Sequence, residues 1–255
     1  MLRTRLCLFL TAGALVALAG LAHRNAAWSE PAAPDPARPV VVELFTSQSC
    51  YSCPPAEAYL GELAGRPGIV ALEWHVDYWD NLVYGSAGQW RDPFSAAAHT
   101  ARQVAYNQAL RGTGGVYTPQ MVIGGRAEAV GSARDDVEAA IAAAAGEARA
   151  SLAVTAEAGG IAVALDGAAA TPADVWLVRY LVRRTTAVER GENHGKDLTN
   201  HHVVTGLERL GGWSGGTARF TADRPAADEG CAVLVQPAGL APVLAAAACP
   251  AMPAS

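Results

Sequence analysis

Cys50-Tyr51-Ser52-Cys53 stands between the apolar run Val40-Val41-Val42-Glu43-Leu44-Phe45 and Pro54-Pro55, which open a helical pattern. A chain with this order must end a strand and begin a helix within the short span from Thr46 to Cys53. The result is a strand–loop–helix unit with two thiols at its turn. The first thiol sits where free backbone N–H groups and the helix dipole favour negative charge. A thiolate forms there at lower pH than on a free cysteine, and the thiolate is the nucleophile of disulfide exchange. The spacing therefore assigns Cys50 as an exposed nucleophile and Cys53 as the resolving thiol. Pro54 suits the helix start because its missing N–H would have no partner there.

The N-terminus predicts export. Met1-Leu2-Arg3-Thr4-Arg5 is basic, and Leu6 to Ala22 is apolar or small throughout. Gly20-Leu21-Ala22 is the better cleavage match and Ala27-Trp28-Ser29 the weaker. Residues 1–29 thus read as a signal peptide cut between 22 and 29, followed by a Pro-rich tether over 30–38. The alternative is an uncleaved anchor, which would be the chain's only membrane contact. The expected location is periplasmic or secreted. Cys7 falls inside the apolar run, leaving Cys50, Cys53, Cys231 and Cys249. An even number in an exported chain allows two disulfides. The formal net charge of −5 is spread over both signs. No basic face for nucleic acid or polybasic membrane patch stands out.

Two halves follow different patterns. Val40–Phe45 reads as a central strand buried on both faces. Ala56–Leu63 has helical spacing, and Ile69–Val76 is a second strand. Ser95–Leu110 is helical. Gln120–Ile123 and Arg126–Val130 form a hairpin around Gly124-Gly125. Ser132 is the expected cap of a last helix through Ala145. The order is β-α-β-α-β-β-α over residues 39–148. From there to residue 255 only strands are predicted: Ser151–Glu157, Ile161–Asp166, Asp174–Arg184, Leu198–Val204, Thr217–Ala222, Cys231–Gln236 and Pro242–Ala248. These suggest a β-sandwich, with the domain boundary near Gly146–Ser151.

Together with the C-x-x-C at its strand–helix junction, Thr118-Pro119-Gln120-Met121-Val122-Ile123-Gly124-Gly125 resembles the Thr/Val-Pro-x-x-x-x-Gly-Gly segment of glutaredoxins and related redox proteins. The resemblance implies a thioredoxin-like first half with a cis Pro119 facing the thiols. It also implies that Thr118 offers its backbone to an extended substrate peptide. The wider pattern resembles a bacterial family of exported proteins catalogued as domain of unknown function 1223. Its marks are Val42 to Ala56, His75-Val76-Asp77-Tyr78-Trp79-Asp80, Asp92-Pro93-Phe94, Tyr117-Thr118-Pro119-Gln120 and Arg190-Gly191-Glu192-Asn193-His194-Gly195. The dipeptide Tyr51-Ser52 differs from those of common thioredoxins.

The remaining candidates each carry two readings. The Thr46-Ser47-Gln48-Ser49 loop either donates to a thiolate or simply caps itself. Asp77 either takes the Cys53 proton or is structural. Tyr51, Tyr78, Trp79 and Thr118 form a candidate substrate wall, while Trp79 is equally suited to the core. Cys50, Cys53 and His75 form a weaker alternative, a soft-ligand copper or zinc site. Gly85 to Phe94 is a loop able to cover the thiols or merely to connect elements. His201 and His202 point to opposite faces of a strand and do not share an ion. Arg190 to Lys196 reads as a charged, glycine-rich hairpin turn. Cys231 and Cys249 are a candidate structural bridge that requires a bend after Ala247.

These features lead to a thiol–disulfide oxidoreductase that needs no cofactor. Its partners would be protein or small-molecule thiols and disulfides, with a redox partner protein. A metal-handling protein and a non-catalytic binding protein with a static Cys50–Cys53 staple are the rivals.

Overall fold

The computed structural model describes residues 34–146, 150–240 and 242–250. The expected signal peptide and residues 30–33 of the tether lie outside the described residues. In chain order the elements are β1 (Val40–Thr46), α1 (Pro54–Ala64), β2 (Ile69–His75), α2 (Ala97–Arg111), β3 (Gln120–Ile123), β4 (Ala127–Val130) and α3 (Arg134–Ala144). Then come β5 (Ala150–Glu157), β6 (Gly160–Gly167), β7 (Ala173–Ala187), β8 (Asp197–Trp213), β9 (Ala218–Asp223), β10 (Glu229–Pro237) and β11 (Ala245–Ala248).

Eight strands form one sheet in the order β11-β10-β7-β8-β2-β1-β3-β4, and β5-β6-β9 form a second. The fold is mixed α/β, with a large sheet and few helices. β1 runs parallel to β2, opposing Phe45 to Trp74 and Thr46 to His75. β3 pairs antiparallel with the other edge of β1. Its hairpin to β4 turns on Gly124 and Gly125, at φ of 60° and 63°. The turn is closed by the Arg126 N–H on the Ile123 carbonyl at 3.0 Å, and positive φ at both of its central positions is what glycine tolerates.

The alternation of β1 explains its composition. Val40, Val42 and Leu44 pack with Tyr59, Leu60 and Leu63 of α1 and Val137 and Ile141 of α3. Val41 and Phe45 face the opposite layer with Trp74 and Tyr106. Both faces are covered, so the strand must be apolar on both. Glu43 is the one acid, and it lies on the α2 side, where Arg102 meets it with Nε–Oε2 at 2.6 Å and Nη2–Oε1 at 2.9 Å.

The expected sandwich takes a different form. β7, β8, β10 and β11 extend the sheet of the first half through a parallel pairing of β8 with β2, at Glu73 and Val203. Only β5, β6 and β9 make a separate layer. Ile161, Val163 and Leu165 of β6 pack there against Val175 and Leu177 of β7 and Val233 and Val235 of β10. The described residues belong to one compact unit.

Two local expectations are corrected. Ser132 does not cap α3; Ala133 holds the N-cap position without a side-chain bond. Cys249 also needs no added bend. The connection from β10 to β11 is longer than a tight turn, so Ala232 opposes Ala248. Cys249 then lies beside Cys231, donates its N–H to the Cys231 carbonyl at 2.7 Å, and forms the second disulfide. Among the described residues no helix is long and apolar enough to cross a membrane.

Candidate functional site

The carboxyl end of β1 leads through Ser47-Gln48-Ser49 into the thiol pair. Cys50 and Cys53 form a disulfide with Cα atoms 5.4 Å apart. Cys53 is the N-cap residue of α1, and prolines fill the first two helical positions. The carbonyl of Cys53 accepts the N–H groups of Ala56 and Glu57 at 2.9 and 3.1 Å. The Ser52 hydroxyl lies 3.4 Å from the Cys50 sulfur. The bond therefore occupies the positive end of a helix, as the spacing requires.

The exposure of Cys50 is corrected. Both cysteines are 0% accessible, although Tyr51 between them is 66% exposed. The loop reaches the surface while its sulfur-bearing residues are sealed.

Groups from distant parts of the chain hold the loop in place. Asp92 accepts the Gln48 N–H at 2.7 Å, and the Ser49 hydroxyl donates to the Trp90 carbonyl at 3.0 Å. The loop between β2 and α2 thus braces the residues just before Cys50. From the β7–β8 connection, the Asn193 amide donates to the carbonyls of Gln48 and Cys50, at 2.9 and 3.0 Å. Glu192 accepts the Tyr51 N–H at 2.8 Å. The Lys196 ammonium lies 4.4 Å from the Tyr51 ring.

Thr118-Pro119, joined by a cis peptide bond, enters β3. The position of Pro119 is fixed by Gly131. A Cβ on that glycine would lie 3.0 Å from Ala56 Cβ in the first turn of α1 and 3.3 Å from Pro119 Cβ. The proline and the amino end of α1 therefore share one end of the sheet. Trp79 donates its indole N–H to the Thr118 hydroxyl at 2.9 Å and packs against Tyr78 and Tyr84. Of the expected wall, Tyr78, Trp79 and Thr118 are brought together, while Tyr51 lies under Lys196; Asp77 accepts the Thr100 hydroxyl of α2 at 2.6 Å. Trp79→Phe should lower stability by about 1 kcal/mol through loss of one partly buried hydrogen bond, measurable by thermal unfolding.

His75 is not directed at the thiols. Its Nδ1 is 2.7 Å from Asp92 and its Nε2 is 3.3 Å from Glu73, all three side chains being buried. Burial alone would lower the imidazole pKa, but the Asp92 and Glu73 carboxylates hold it well above the ordinary value. The same pairing, with backbone N–H groups from Gln48 and Phe94, holds Asp92 below the usual carboxylate range against its own burial. Among the described residues no group of three or more metal-ligating side chains is assembled, so the Cys50–Cys53–His75 ligand set does not form.

Sequence reasoning missed Glu57, Glu73 and Asn200, and named Glu192 and Asn193 only as part of the family's Arg190–Gly195 segment. Glu73 accepts hydrogen bonds from the Asn200 amide and the His201 N–H, at 2.7 and 2.8 Å. Asn200 in turn accepts from the Gln48 amide at 3.1 Å, so the seam between β2 and β8 reaches the thiol loop. Glu57 is buried in the first turn of α1 and accepts the Thr46 hydroxyl at 2.7 Å. Burial, and then the neighbouring Glu73 carboxylate, push its pKa up to about 8. A signal for Glu57 existed, because it lies one turn before Gly61 and beside Ala56 and Leu60 on the inner stripe of α1.

These features define a mixed α/β protein with a C-x-x-C disulfide at a strand–helix junction. The chain belongs to the family described as protein of unknown function DUF1223, whose model matches residues 41–236. It is similar to a crystal structure of an Agrobacterium tumefaciens protein, at 28% identity and a TM-score of 0.70, covering 88% of this chain and 98% of that one. A second similar structure is HBP35 of Porphyromonas gingivalis, at 14% identity and a TM-score of 0.52, covering 83% of this chain and 74% of that one. No curated protein matches the chain.

Proposed function

We propose that this chain is an exported thiol–disulfide oxidoreductase with a thioredoxin-like first half, acting through Cys50 and Cys53 on protein or small-molecule thiols. The observation that carries the reading is the Cys50–Cys53 bond at the amino end of α1. There, helix dipole and free N–H groups stabilise a thiolate leaving or attacking at Cys50. Further support comes from Thr118 and Pro119 at the same end of the sheet. Among the described residues, no backbone bond is made by the Thr118 N–H or carbonyl. An extended peptide can pair with that free edge.

In the oxidising direction a substrate thiolate attacks Cys50. A substrate–Cys50 disulfide forms, the Cys50–Cys53 bond breaks, and Cys53 leaves as a thiolate that takes up a proton. A second substrate thiolate then attacks the mixed disulfide and releases Cys50. The substrate loses two electrons and the chain gains them. Reduction of a substrate disulfide is the reverse sequence. A redox partner protein with its own dithiol or disulfide restores the starting form. Residues 1–29, read as a signal peptide, support a setting in the periplasm or outside the cell.

One observation favours a second reading. Both cysteines are sealed, as they would be in a static staple of a binding protein. The two are separated by a trap. In the native host, Cys53→Ala should accumulate partners attached through Cys50 and released by a reductant, while Cys50→Ala accumulates none. Empty traps under both oxidising and reducing growth would establish the staple instead.

A further inference from the structure

Tyr51 and Ser52 face solvent, yet the two cysteines flanking them have no accessible surface. Something beside the loop closes it. The segment from Gly191 to Lys196 reaches it from the β7–β8 connection, more than a hundred residues later in the chain. Asn193 is itself fully buried, and its one amide nitrogen bridges the carbonyls of Gln48 and Cys50. Glu192 takes the N–H of Tyr51, the residue next to Cys50. Lys196 donates to Asn193 Oδ1 at 2.8 Å and covers the Tyr51 ring.

We propose that Gly191–Lys196 is a displaceable cover that keeps the Cys50–Cys53 bond closed to thiolates and lifts to admit them. The inference rests on the exchange reading above. Three features of the segment support it. Its contacts with the loop are hydrogen bonds and one cation–aromatic contact rather than apolar packing. Such a seam parts with little dewetting of apolar surface, because water replaces each partner. Gly191 and Gly195 bracket the contact residues at φ of 77° and 80°, a region glycine enters and leaves freely. Behind the segment lies an open cleft of about 470 Å³, lined by Ser86, Ala87, Gly88, Glu189, Arg190 and His194. The segment has space to move into, and lifting it also parts the bond from the Gly191 N–H to the Ala87 carbonyl at 3.0 Å.

Lifting also changes the chemistry at Cys50. It withdraws the Glu192 carboxylate and frees the Tyr51 N–H. A negative charge leaves the neighbourhood of the sulfur, and a donor becomes available to a thiolate there. Both changes favour the ionised form. Access and reactivity at Cys50 thus rise together.

The test follows both disulfides of the full oxidised chain during reduction by dithiothreitol, using alkylation and mass measurement. Dithiothreitol is the reductant: its thiolate bonds to Cys50, Cys53 departs, and the second thiol closes the dithiothreitol ring. Two variants are compared with the parent, Asn193→Ala and the double variant Glu192→Ala with Lys196→Ala. Each should speed opening of Cys50–Cys53 about tenfold, the effect expected from losing one buried or charge-assisted hydrogen bond. Cys231–Cys249 is the internal control and should open at the parent rate. Parent rates for Cys50–Cys53 in both variants would overturn the cover, as would equal acceleration of the two disulfides in both. Selective acceleration with empty Cys53→Ala traps would support the cover and sink the exchange reading.

Discussion

Arg102→Met should lower stability by about 3–5 kcal/mol, the usual effect of stranding one member of a buried ion pair. The Arg102 and Glu43 side chains are 5% and 1% exposed. The guanidinium binds both Glu43 oxygens, reaches Tyr106 and Gln236 at 3.1 Å each, and lies 4.9 Å from the Trp74 ring. Tyr106 adds its own hydroxyl to Glu43. Without the arginine, a carboxylate in the central strand keeps only that neutral donor. The loss is a large share of the roughly 5–15 kcal/mol that holds a typical domain folded. Urea unfolding with both disulfides intact measures it. Pairing Arg102→Met with Glu43→Leu should recover most of the loss, because an apolar pair of similar volume removes the stranded charge. A double variant as unstable as the single one would refute this account.

Glu57→Gln should have the opposite sign, and its effect should depend on pH. The Glu57 carboxyl is raised from 4.5 to about 8, by burial first and by Glu73 second. Below pH 4.5 the group is protonated folded or unfolded, so the substitution changes little. Between pH 4.5 and about 8 the unfolded chain gives up this proton while the folded chain keeps it, so rising pH favours unfolding. Glutamine has no such proton and can still accept the Thr46 hydroxyl. The variant should therefore gain on the parent across this window, reaching on the order of 4 kcal/mol at pH 8.5. Denaturant unfolding at pH 4 and 8.5 supplies the comparison, and a gap that does not change with pH would contradict it.

The features legible in the sequence are those written locally. The apolar run of β1 gives a strand buried on both sides, and the thiols, prolines and α1 follow within a few residues. Gly124-Gly125 announces its hairpin. Partners set by the sheet order were not legible. Glu43 in β1 looks like an isolated acid until α2 brings Arg102 to it. Asp92 and His75 belong to one ion pair only because the loop before α2 folds back on the end of β2. The sequence pattern of Arg190 to Lys196 shows a turn, but its function depends on where β7 and β8 aim it. The C-terminal strands suggest two stacked sheets, yet no local pattern reveals that one of those sheets continues the first.

That continuity has an evolutionary corollary. The edge of β2 is finished by β8, and the buried Glu73 is satisfied by Asn200 and His201 of that strand. A fragment ending near residue 148 would present a raw strand border and leave Glu73 with His75 but without the two donors of β8, an invitation to self-association. Separating the two segments by shuffling or fusion would uncover that border unless another strand took the place of β8.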